Sequence, residues 1–243
     1  MPKSTCCRRL AAAEVGDRPA TPARALLFWS SGKDSAYALH VTRQQGELEV
    51  AGLLTTVSEA DGQVAVHAVP DRLLARQAEA VDLPLMRVPL PSPCPNDVYE
   101  ARLAEVLARA CADGISHVVF GDLHLADIRA YRERQLAALG LTPVFPLWGR
   151  DTAGLAREMI ADGLEAVLTC IDPARLAPDF AGRQFDRTLL STLPEGVDPC
   201  GENGEFHTFC FAGPMFRAAI PVRIGAPRQG EVYVHAAVAP ADA

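Results

Sequence analysis

The chain has 243 residues and a mass of 26.0 kDa, room for one large domain or two small ones. Hydrophobic residues make up 49% and charged residues 22%, close to the globular average, which excludes wholesale disorder. The net charge of −7 weighs against a non-specific nucleic-acid binder, and no apolar run approaches the roughly 18–20 residues of a membrane span.

Residues 1–23 read as a flexible N-terminal tail. They carry Pro2, Pro19 and Pro22 among scattered charges and lack the apolar core of a secretory signal. Ala25 to Trp29 is then a short apolar run of the kind a buried parallel strand needs. A helix from Ser35 to Gln45 follows. Val50 to Val57 is a second strand, and Pro70 opens a helix through about Val81 with Leu73, Leu74, Gln77 and Val81 at helical spacing. Leu85 to Leu90 is a third strand. Asn96 is read as the N-cap of a helix over Asp97 to Ala112.

His117 to Gly121 is a fourth strand, and Ile128 to Leu139 a helix ending at Gly140. Pro143 to Leu147 is a fifth strand, Thr152 to Ala161 a helix, and Glu165 to Ile171 a further strand in the same alternation. This order argues a doubly wound, Rossmann-like α/β fold with a mostly parallel sheet. Beyond Asp172 the chain turns richer in Pro, Gly and Phe. A short helix is expected over Phe185 to Thr192, with strands at Phe206 to Phe211, Met215 to Ile224 and Glu231 to Val238. The expected division is a first domain at 24–148 and a smaller α+β lobe at 149–243.

The seven cysteines are odd in number and show no C-x-x-C spacing, which points to free thiols and a cytoplasmic location. Cys94 and Cys200 lack a sequence-adjacent His that would activate a thiol. His67, His117 and His235 sit in strand-like runs and read as structural.

Chemistry concentrates in loops. Ser30-Ser31-Gly32-Lys33-Asp34-Ser35 lies between a buried strand and a helix. Backbone N–H groups, the helix N-terminus, the Ser hydroxyls and Lys33 together form an anion cradle there. Asp34 is either a metal-holding or a helix-start carboxylate. An ordinary polar turn is the plain alternative. Neither a Walker A loop nor G-x-G-x-x-G fits. A second polar stretch runs from Gly121 and Asp122 through Arg129 and Glu133, and would reach the ligand side of the sheet or simply form solvated helix ion pairs. A third, Gly201 to Phe209, carries Glu202, Glu205 and His207. These could be metal ligands or an acid–base set, or the exposed acids of a Gly-rich hairpin.

The Ser30–Ser35 loop resembles the PP-loop of ATP pyrophosphatases, with Ser31 in place of a glycine, a substitution that is mild at ordinary φ and costly at positive φ. With Pro146–Asp151, Gly182–Asp186 and Gly201–Phe209, the chain resembles the diphthine–ammonia ligase family within the adenine nucleotide alpha hydrolases. The resemblance implies an ATP-dependent ligase. A carboxylate would be adenylated, pyrophosphate released, and AMP displaced by ammonia. It implies ATP and Mg²⁺ as cofactors, with Asp34 on the metal. Ser30, Ser31, Gly32, Lys33, Asp34, Ser35, Gly121 and Arg129 would bind nucleotide, and Lys33, Asp34, Glu202 and Glu205 would act in catalysis. The family acceptor is the diphthine side chain of an elongation factor. Asp122, Leu125 and Asp127 stand where the family has Ala, Ser and Tyr, and His207 where the ligases often have Glu. These departures mark a divergent branch and leave the acceptor open. A regulatory nucleotide-binding module, an enzyme acting on a small molecule or tRNA, and a homo-oligomer remain alternatives.

Overall fold

The computed structural model describes residues 22–60, 62–64 and 69–241. The tail expected at 1–23 lies outside the described residues up to position 21, as does His67. Six strands and five helices frame the site's first half. In chain order they are β1 (Ala23–Phe28), α1 (Lys33–Gln45), β2 (Leu48–Ser58), α2 (Asp71–Val81), β3 (Leu85–Leu90), α3 (Asn96–Ala112), β4 (Ile115–Val119), α4 (Ala126–Ala137), β5 (Thr142–Val144), then α5 (Thr152–Ala161) and β6 (Glu165–Ile171).

β1 to β5 form a parallel sheet in the order β3-β2-β1-β4-β5. The strand order reverses between β1 and β4, so a crevice opens at their carboxyl ends. One face of the sheet packs through Leu26, Leu54 and Val118 against Leu103 and Leu107 of α3 and Leu136 of α4. The other face packs through Leu27 and Leu53 against α1 and α2.

The second lobe adds a 3₁₀ turn at Pro178–Phe180, α6 (Arg187–Thr192), β7 (Phe206–Ala212), β8 (Val222–Gln229) and β9 (Val234–Pro240). β6 does not extend the parallel sheet as the alternation predicts. It pairs antiparallel with β7 and β9 in a four-stranded sheet ordered β7-β6-β9-β8. An uninterrupted apolar run suits any strand buried on both faces, parallel or antiparallel. The segment expected as a strand from Met215 begins β8 only at Val222; Met215, Phe216 and Ile220 are instead buried plugs in a turn. β5 is shorter than expected because the chain leaves the sheet at Phe145 and turns.

Helix α3 is capped by Pro95, whose carbonyl accepts from Tyr99 N, and not by Asn96. Asn96 is the first helical residue, and its amide donates to Glu100 Oε1 at 3.0 Å. One buried cluster runs through both lobes. Trp29 meets Phe216 edge-on at 6.4 Å, and the Tyr37 hydroxyl of α1 lies between Glu158 (2.8 Å) and Asp162 (2.6 Å) at α5. Among the described residues, no helix is long and apolar enough to cross a membrane.

Candidate active site

The loop leaving β1 forms by local hydrogen bonding. Ser35 Oγ donates to Gly32 O at 3.0 Å and lies 3.2 Å from Ser30 Oγ, folding the hydroxyls back on the turn. Gly32 is the N-cap of α1 and provides no side-chain cap. The helix therefore keeps donors and partial positive charge at its start, an arrangement suited to an anion.

Ser31 adopts φ 71°. This is the costly case for a non-glycine residue. The conformation is held through its carbonyl, which accepts from Gln77 Nε2 at 3.0 Å and Cys210 N at 2.9 Å. Its own hydroxyl is buried without a hydrogen-bond partner. Ser31→Gly is expected to raise the unfolding free energy by about 1 kcal/mol, the left-handed strain and the orphan hydroxyl outweighing the added backbone freedom. Chemical denaturation checks this, and a lowered midpoint would contradict it.

Lys33 sits in the wall of the cleft with its ammonium buried. Its side chain is 2% exposed, and Nζ donates to Asp34 Oδ2 at 2.9 Å and to the Cys200 carbonyl. The rings of Phe185 and Phe206 lie 5.4 and 5.5 Å from it. Burial alone would push the ammonium down; the adjacent Asp34 carboxylate outweighs this and holds it above its ordinary value. Lys33 N donates to Thr208 Oγ1 of β7 at 3.1 Å, a second tie between loop and second lobe.

The Gly201–Glu205 loop closes over this point. Gly201 has φ 70°, and a Cβ there would meet Phe206 O at 2.8 Å, so the turn admits only glycine without displacement. Glu205 is 2% exposed and does not line the cleft. Its carboxylate accepts from Asp198 N (3.0 Å) and Asn203 N (3.0 Å), which shapes the loop. Glu202 faces outward from it. Its Oε1 accepts from Leu123 N (2.8 Å) and His124 N (3.2 Å) of the β4–α4 loop. Burial pushes its carboxyl up, against the opposing pull of these N–H bonds.

Gly121 brings β4 hard against the α1 start. A Cβ there would lie 2.8 Å from Asp34 C and Ser35 N, so this wall of the cleft is backbone against backbone. Asp122 follows and pairs with Arg132 of α4, Nε to Oδ2 at 2.8 Å. The Arg132 guanidinium rests 4.3 Å from the Phe120 ring centre. Arg129 is elsewhere, over Phe145 (4.9 Å) and Trp148 (4.7 Å) and bonded to Glu133.

These loops enclose a cleft of about 290 Å³. Of the residues singled out in the sequence, Ser30, Lys33, Asp34, Ser35, Gly121 and Glu202 line it. Ser31, Gly32, Glu205 and Arg129 do not. His207 also lines it, and burial lowers its pKa to about 4, with Lys33 and His235 adding to the shift, so the ring is neutral at neutral pH. Burial pushes the Cys200 thiol up to about 12, and its Sγ donates to Thr152 O, so Cys200 presents no thiolate. Asp122 and Arg132, part of the polar stretch expected to reach the ligand side of the sheet, do line the cleft; sequence reasoning did not single out Phe28 or Phe120, which read only as apolar strand residues.

Residues 23–143 match the family model described as the diphthamide synthase N-terminal domain, and residues 151–236 match the diphthamide synthase C-terminal domain. The chain is 33% identical over 222 residues to the diphthine–ammonia ligase of Danio rerio, covering 79% of this chain and 83% of that protein. It is 30% identical over 236 residues to the diphthine–ammonia ligase of Homo sapiens, covering 86% of this chain and 84% of that protein.

Proposed function

The chain belongs to the diphthamide synthase family, and we propose that it is an ATP-dependent ligase that joins ammonia to a carboxylate. The supporting observation is the start of α1, with Gly32 as an N-cap that has no side chain, at the β1/β4 reversal, facing a cleft that the Gly201–Glu205 loop closes. The α1 start and the Ser30 hydroxyl would hold the ATP phosphates, with Ser35 fixing the turn. The acceptor carboxylate attacks the α-phosphorus, and the bond to the bridging oxygen breaks with loss of pyrophosphate. Ammonia then attacks the acyl carbon, and AMP leaves with the electrons of the C–O bond. Glu202, with Oε1 fixed by two backbone N–H groups and a carboxyl raised by burial, is placed to take the proton that the attacking nitrogen sheds.

The charges also favour a divalent cation. The lining carries Asp34, Asp122 and Glu202 against Lys33 and Arg132, an excess of carboxylate toward which a triphosphate would otherwise be repelled. Among the described residues no cluster of three or more metal-ligating side chains exists. Mg²⁺ takes one or two carboxylates plus phosphate oxygens and water. Asp34, in the wall of the cleft at the start of α1, would hold it. Bound there, the ion would neutralise charge on the phosphates. In this reading residues 24–148 bind the nucleotide and 149–243 supply the acceptor side, with diphthine on an elongation factor as the acceptor to test first.

Purified protein with ATP, Mg²⁺, ammonium and a diphthine-bearing elongation factor is expected to yield AMP and pyrophosphate. ADP and phosphate as products would overturn the assigned bond cleavage. AMP formation that ignores the elongation factor but responds to a small carboxylate would redirect the acceptor.

A further inference from the structure

The cleft must bring together two anions, a triphosphate and a carboxylate. Among the described residues that line it, only Lys33 and Arg132 are cations, since His207 is neutral. Lys33 is not available to a ligand. Its ammonium is buried and already bonded to the Asp34 carboxylate and the Cys200 carbonyl. Arg132 remains. One terminal nitrogen donates to Asp122 Oδ1 at 3.1 Å, Nε lies 2.8 Å from Oδ2 in an ion pair without hydrogen-bond geometry, and the face of the guanidinium covers Phe120. This grip fixes the plane of the group and leaves the other terminal nitrogen, with its two N–H donors, outside the pair.

The position is also informative. Asp122 directly follows Gly121, whose backbone touches the α1 start. The Arg132–Asp122 pair therefore flanks the phosphate cradle on its β4 side, at side-chain exposures of 20% and 16%. A guanidinium held flat at this depth matches a carboxylate better than a diffuse surface charge would.

Resting on the ligase reading above, we propose that Arg132, fixed by Asp122 against Phe120, receives the acceptor's carboxylate and determines which acceptor is activated. A phosphate of the nucleotide is the other oxyanion the same donors could take, and the test separates the two.

The probes are the Mg²⁺ complex of α,β-methylene-ATP and an acyl-sulfamoyl adenosine, whose acyl carbonyl oxygen stands for the acceptor carboxylate oxygen that stays on the acyl group after activation. Binding of each to the full chain would be measured by calorimetry for wild type, Arg132→Gln and Arg132→Lys. Arg132→Gln is expected to weaken the acyl analogue roughly ten- to hundredfold, the loss of a charge-assisted hydrogen bond, and to change the triphosphate analogue by less than about twofold. Arg132→Lys should recover part of the loss, because it restores charge without the fork. Equal weakening of both probes would assign Arg132 to the phosphates. Unchanged binding of both would make the ion pair purely structural. Either overturns the proposal while leaving the ligase reading intact. A wild-type protein that binds neither probe overturns the nucleotide reading, and the Arg132 assignment with it.

Discussion

Lys33→Met is expected to reduce AMP formation at least about a hundredfold, the scale on which a misplacement of about 1 Å slows an enzyme. The same substitution should lower the unfolding free energy by about 3 kcal/mol, because it breaks a largely buried ion pair and leaves one charge behind. The stranded charge is Asp34, whose side chain is only 29% exposed. The Cys200 carbonyl loses its donor at the same time, and with it the contact that seats the Gly201–Glu205 loop on the α1 start. Glu202 rides on that loop, so the chemistry suffers although Lys33 has no free donor for ATP.

A double variant distinguishes this account from a lysine that binds phosphate directly. Lys33→Met with Asp34→Asn removes both charges, and should return about half of the lost stability while leaving activity low. Thermal denaturation and AMP release are measured on the same preparations. A single variant of unchanged stability would mean that the cage around Nζ does not bear on the fold.

Much of this site was legible because strand–loop–helix order places loops on one edge of a parallel sheet. An apolar run at Ala25–Trp29 followed by Ser30–Ser35 leaves little choice about where the loop points. The helix at Thr152–Ala161 and the strand at Glu165–Ile171 were read to their residues, yet the sheet to which the strand belongs was not. Pairing partners depend on tertiary packing, which an apolar run does not encode. β8 was displaced in the reading because Val222–Gln229 is exposed on both faces and shows no alternation, whereas the apolar Met215–Ile220 segment serves as a plug. Glu205 and Glu202 look alike in sequence. Only the loop's fold turns one inward to organise backbone N–H groups and the other toward the cleft. Arg129 and Arg132 likewise lie on one helix, and the angle that puts Arg132 at Asp122 is set by α4 packing.

Gln77→Met is expected to destabilise the protein by about 4 kcal/mol, a fall in Tm of roughly 8–16 °C for a chain of this size. Gln77 stood in the sequence on the apolar stripe of α2, and that position was the signal. A polar side chain there must find partners or incur a desolvation cost. It is fully buried, and all of its roles are filled. Oε1 accepts from Trp29 Nε1 at 2.8 Å, and Nε2 donates to Ser31 O at 3.0 Å and Cys210 O at 2.6 Å. Methionine keeps the volume but orphans the indole N–H and the Cys210 carbonyl; Ser31 O retains Cys210 N. Because Ser31 loses one of the two bonds that hold its left-handed backbone, nucleotide binding should weaken as well. Gln77→Glu separates hydrogen bonding from packing. It keeps the acceptor for Trp29 but turns an anion toward two carbonyls, so its folded-state carboxyl is raised. The penalty is then present at neutral pH and relieved as pH falls toward the ordinary Glu value of about 4.3, where the neutral acid can donate to one carbonyl. Denaturation midpoints of the two variants across this pH range decide the matter: if they run in parallel, Gln77 is a space filler, and if the Glu variant alone recovers in acid, its amide is what holds the phosphate loop to the second lobe.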